Sequence, residues 1–224
     1  MRWLLPMMLA LTTSLALGDE PPTIRIGEVL ARSQQWQLDA LTPADRESPK
    51  ARRVMATFTV LVHELQPPQV ELRVVRGALV AETLHGHVVV ANEALADLTE
   101  GQRRFILAHE LGHVMLGHWA QMVDLYERWI PGEVTKSETD AVAGRLGREA
   151  SALAHRQEYE ADAFGVKMLR ELGHAEDDAV TAFMSLGVYK ETATHPATMR
   201  RVAALRAAAA AAVPGVQVAA ALRR

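Results

Sequence analysis

Hydrophobic residues recur along the chain in two rhythms, and the switches between them predict its elements. Ser48 and Pro49 suit an N-cap and first helical position. After them Val54, Phe58, Leu61, Val62 and Leu65 mark one face of an amphipathic helix that stops before Pro67-Pro68. The spacing then shortens to alternation. Residues 70–75, 78–82 and 87–91 read as three strands, with Gly77 and Gly86 at the turns. Helical spacing returns with Phe105, Ile106, Leu111, Val114 and Met115, behind a capping box of Thr99 and Gln102. Further helices are expected around Glu158, from Asp177 to Leu186, and after Pro196, where Val202 and Leu205 turn inward. The fold class that follows is α+β and mainly helical, with a small three-stranded sheet preceding the helix at 105–118.

That helix carries the chemistry. His109 and His113 lie one turn apart on one face, so both imidazoles reach a single ion, and Glu110 beside them can take a proton from water. Two histidines call for a third protein ligand, commonly a carboxylate. The segment Glu158-Tyr159-Glu160-Ala161-Asp162 offers three acids. Glu160 falls on a stripe with Lys167 and Glu171 that reads as solvated. Glu158 and Asp162 share a face with Ala161, Gly165 and Leu169, small enough to pack against another helix. Glu158 is therefore the expected third ligand to one zinc ion per chain, and Asp162 the carboxylate that orients a ligand histidine. His118 is out of step with a further ligand and is expected to project away from the His109/His113 face. Alone, either motif could be an ordinary charged helix; together they make that coincidence a poor explanation.

Composition narrows the function. With 224 residues, 49% of them hydrophobic, the chain can bury one substantial core. Residues 1–18, with Arg2, a short apolar run and small residues at Ala16 and Gly18, read as a signal peptide directing the protein to the periplasm or outside the cell. Thr12, Thr13 and Ser14 interrupt the run, which is short for a membrane span. The chain has no cysteine, which excludes disulfides, a lipid anchor on cysteine and a thiol nucleophile. Its 24 basic against 27 acidic residues give no electrostatic case for nucleic acid. The expected division is a signal peptide at 1–18, an arm or short helix within 19–47, a catalytic domain over 48–206 and a tail at 207–224. Residues 119–150, rich in apolar surface, predict either a lid over a cleft or a helix tucked into the core.

The ordered set His109-Glu110-Leu111-Gly112-His113, Glu158-x-x-x-Asp162 and Thr194-His195-Pro196 resembles the CAAX-prenyl-protease/HtpX-type zinc metallopeptidases, above all their soluble periplasmic and Oma-like members. The resemblance spans roughly residues 50–205. It implies a zincin-type (gluzincin) endopeptidase with His109, His113 and Glu158 as ligands and Glu110 as general base. An edge strand beside the zinc would hold an extended peptide. Gly77-Ala78 stands where relatives usually carry Asn-Ala. His195 would lie near the zinc, steadying the oxyanion or filling the open position to hold the enzyme latent. Arg200 or Arg201 would support substrate or a ligand carboxylate. The implied partners are protein or peptide substrates, with peripheral contact to the membrane or envelope assembly machinery. The rival expectations are a zinc-containing chaperone or assembly factor with latent proteolysis, and a metal-free binding module.

Overall fold

The computed structural model describes residues 24–212; the signal peptide expected at 1–18 and the end of the tail lie outside them. Within that span the chain is a mainly helical α+β structure with one mixed sheet. The elements run α1 (Ile26–Asp39), β1 (Thr42–Pro43), α2 (Pro49–Leu65), β2 (Glu71–Arg76), β3 (Ala81–Leu84), β4 (Val88–Asn92), a 3₁₀ turn (Glu93–Asp97) and α3 (Glu100–Met115). Then follow α4 (His118–Trp129), α5 (Lys136–Glu171), α6 (Asp177–Leu186) and α7 (Thr198–Ala212).

Local chemistry sets the helix ends. The Ser48 side chain accepts from the Ala51 N–H at 3.0 Å, and α2 ends at Gln66, held in the left-handed region before Pro67. The capping box ahead of α3 is complete: Thr99 Oγ1 accepts from Gln102 N, and Gln102 Oε1 accepts from Thr99 N. Gly117, at φ 67°, breaks α3 from α4, a conformation glycine adopts without penalty.

The sheet has four strands, not three, in the order β1-β2-β4-β3. The extra strand is two residues long, too short for alternation to register in sequence. Its Pro43, lacking an N–H, is tolerated because the strand lies at an edge. β2 and β4 pair in parallel, while β3 pairs antiparallel with β4 and leaves its far side as the other edge. β4 is buried along its whole length, as a central strand covered on both faces should be. Asn92 at its end pins the β2–β3 connection, donating to Gly77 O at 2.8 Å and Leu79 O at 2.7 Å.

One sheet face packs on α2 and α3; α5 and α6 pack on α3, and α7 on α5 and α6, to complete the main core around Phe58, Phe105, Leu107, Leu111 and Leu169. The other face carries Val75, Leu84, Val88 and Val90 beneath Leu38 of α1. A third apolar cluster joins Ile26 of α1 to Leu125 of α4 and to Leu146 and Leu153 of α5. Residues 119–150 spend their apolar surface there, and none of them lines the cleft described below.

Small residues let α3 and α5 approach closely. A Cβ on Gly112 would stand 3.3 Å from Ala161 Cα and 3.2 Å from Phe164 Cβ, and one on Gly165 would meet the Phe105 ring at 3.0 Å. That close contact brings the two halves of the expected metal site together. Among the described residues, no helix is long and apolar enough to cross a membrane.

Candidate metal centre

α3 presents His109 and His113 one turn apart, and α5 brings Glu158 opposite them. The two Nε2 atoms stand 3.2 Å apart. Glu158 Oε2 lies 3.7 Å from His109 Nε2, and Oε1 lies 3.5 Å from His113 Nε2. Two nitrogens held about 2.1 Å from one tetrahedral zinc would stand about 3.4 Å apart, so the donor set fits such an ion. Glu158 Oε2 adds a second sign of fit. It is buried and without a hydrogen bond, although Arg201 Nη1 approaches to 2.7 Å outside bonding geometry. Among the described residues, these three side chains are the group whose donor atoms converge as a metal requires.

Each histidine is backed by a different structure. His109 Nδ1 meets Asp162 Oδ1 at 3.0 Å, which fixes its proton on Nδ1 and turns the Nε2 lone pair outward. Arg201 of α7 clamps that carboxylate with Nε on Oδ2 at 2.8 Å and Nη2 on Oδ1 at 2.5 Å. Its guanidinium also lies 4.5 Å from the centroid of the Phe183 ring. Burial pushes the Asp162 carboxyl up, but the Arg201 and His109 hydrogen bonds outweigh it and hold the group ionised. Burial likewise raises Glu158, and contact with His113 with the charges of His109 and Arg201 brings it below the usual carboxylate range.

Behind His113 stands another imidazole. His118 does not project away: Gly117 turns the chain, and His118 Nδ1 arrives 2.8 Å from His113 Nδ1. If His113 gives Nε2 to the metal, its Nδ1–H donates to His118 Nδ1. That leaves the His118 Nε2–H facing Glu160 Oε2 at 3.3 Å. Burial first, then the neighbouring His113 and His109 charges, lower His118 to about 4, so it stays a neutral acceptor.

Glu110 is buried beside these candidate donors. Thr83 of β3 places its hydroxyl 2.8 Å from Glu110 Oε2 and 2.9 Å from the Glu110 carbonyl oxygen, joining strand to helix at the site. His195 lies on the loop between α6 and α7, its Nε2 3.7 Å from Glu158 Oε1 and its side chain largely exposed. Thr194 Oγ1, at 2.8 Å from His195 Nδ1, sets the ring, and His155 Nε2 meets Thr192 O at 2.8 Å, tying that loop to α5. Arg200 pairs with Glu191 at the surface, so of the two arginines it is Arg201 that reaches the centre. Thr83 escaped the sequence reading, which set His118 aside as turned away from the site. Neither has a motif: one depends on strand register, the other on a left-handed glycine turn.

The site opens into a cleft of about 740 Å³ running from Gln34 and Gln37 of α1, along β3, over the metal donors, to Lys190 and His195.

A family model for peptidase U49 matches residues 86–214. The chain is also similar to the metalloprotease LoiP of Escherichia coli (strain K12), at 25% identity over 183 residues, 74% of this chain and 73% of that protein. No solved structure matches it.

Proposed function

The chain belongs to the peptidase U49 family, and from that membership and the site geometry we propose that it is a zinc-dependent endopeptidase of the HtpX-like, gluzincin kind. A peptidase acts on protein or peptide, and the likeness to a metalloprotease supports a bound metal. The observation that carries the proposal is the convergence of His109 Nε2, His113 Nε2 and Glu158 on one point beside Glu110.

When bound there, zinc would supply Lewis-acid polarisation of the scissile carbonyl and acidify water. The remaining work falls to the chain. Glu110 takes a proton from the attacking water as the new C–O bond forms, and returns it to the amine nitrogen as the C–N bond breaks. Thr83 fixes the carboxylate that makes this exchange, through its bond to Oε2. Asp162 and Arg201 hold His109 in the tautomer that coordinates. The composition of residues 1–18 supports export, and so envelope proteins, misfolded or misassembled, as substrates.

Two experiments test this reading. Glu110→Gln is expected to keep zinc and fold while casein hydrolysis falls by at least about a hundredfold; full activity in that variant would refute the assignment. Chelator should abolish hydrolysis by the native protein, and zinc should restore it.

The position of His195, 3.7 Å from a ligand oxygen, favours a second reading in which the cleft chiefly holds clients and proteolysis is latent. His195→Ala separates the two. Faster casein cleavage supports latency, whereas slower cleavage gives His195 a part in the reaction.

A further inference from the structure

β3 is the edge strand that runs beside the metal donors, and its backbone has two sides. Val80 O accepts from Asn92 N at 2.8 Å, and Glu82 and Leu84 stand opposite Val90 and Val88 of β4. Alternate residues of an antiparallel strand turn their N–H and C=O to the same side. Val80, Glu82 and Leu84 therefore face β4, while Ala81 and Thr83 turn toward the cleft they line, and the His85 N–H just past the strand end points away from β4 as theirs do. Among the described residues the backbone groups of Ala81 and Thr83 on that side have no partner.

His85 differs. Its N–H donates to Gln34 Oε1 of α1 at 2.5 Å, and its φ of 52° turns the chain out of the extended conformation. Three residues on, Gln37 Nε2 donates to Glu82 Oε2 at 2.6 Å, so the same face of α1 is anchored to β3 twice. The Gln34 side-chain carbonyl thus occupies the place that a carbonyl of an added strand would take.

We infer that Gln34 is a specificity-determining stop: an extended peptide pairs with Ala81 and Thr83 and is halted before His85. The inference rests on the proteolytic reading above. It assigns the length limit to α1, which lies outside the stretch matched by the family model. Peptide residues beyond Thr83 on the His85 side gain no backbone pairing, so binding should stop improving there.

The test uses zinc-loaded Glu110→Gln protein and fluorescent peptides lengthened one residue at a time from either end. With Gln34 present, lengthening toward His85 should leave Kd flat beyond the Thr83 pair. In the added Gln34→Ala variant, the next residue should tighten Kd about three- to tenfold, the worth of one net hydrogen bond. Gln34→Glu, which keeps an acceptor at the same reach, should restore the plateau. Residue-resolved hydrogen exchange gives an independent reading. Peptide should protect the Ala81 and Thr83 amides in both proteins, and slow the His85 amide further only in Gln34→Ala. The same length profile with and without Gln34, a Gln34→Glu protein that behaves like Gln34→Ala, or peptides that leave Ala81 and Thr83 unprotected would each overturn the inference. Loss of hydrolysis by the Glu110-containing protein with this protection pattern intact would instead sink the proposed reaction and leave the stop standing.

Discussion

The two histidines of the candidate metal centre share one helix face yet are supported in opposite ways. His109 is held by buried charge: an ionised Asp162 clamped by Arg201, which also neutralises Glu158. His113 is held by a neutral imidazole whose outer nitrogen looks to the half-exposed Glu160. Charge buried in a low dielectric is costly to uncouple, because removing one partner strands the others. A neutral hydrogen bond can be removed for roughly 1 kcal/mol. The first support therefore bears on folding as well as on tautomer, the second chiefly on tautomer.

Arg201→Met should have the largest effect, since it leaves two carboxylates without their cation. A loss on the order of 3–5 kcal/mol is expected in denaturant unfolding of the metal-free protein. If that protein is as stable as the native one, the contrast between the two supports disappears. His118→Phe keeps an aromatic ring but removes the acceptor for His113 Nδ1–H. Zinc affinity should fall about tenfold in competition with a chelator, with little change in unfolding. A drop as large as that of Arg201→Met would make the two supports equivalent. Glu160→Gln is the mildest change, at a carboxylate 43% exposed, and zinc affinity should shift by less than about threefold.

The same division between local and distant causes decides how much could be read from the chain. Helix α3, its capping box and the His109/Glu110/His113 face are set by neighbours in sequence, and the structure follows the pattern there. Glu158 and Asp162 were legible through the small face of Ala161 and Gly165, a local feature that announces a distant contact. Illegible were the placement of β3 at the edge, the Thr83 hydroxyl on Glu110, and the return of His118 beneath His113. Each of these depends on which elements pair in space. The two-residue strand β1 was invisible because nothing so short carries a period. The choice between Arg200 and Arg201 needed the rotation of α7 against α5, which no spacing within either helix specifies.

The glycine between Leu111 and His113 sets a limit that the reaction chemistry by itself would not. A methyl group at Gly112 would force Ala161 and Phe164 back by a few tenths of an ångström. Coordination distances tolerate only about 0.2 Å. Replacing this residue would therefore detune the metal cage from a position that touches no donor atom. The two middle letters of the motif, nominally free, are both spoken for here, Leu111 by the core and Gly112 by the distance between two helix axes.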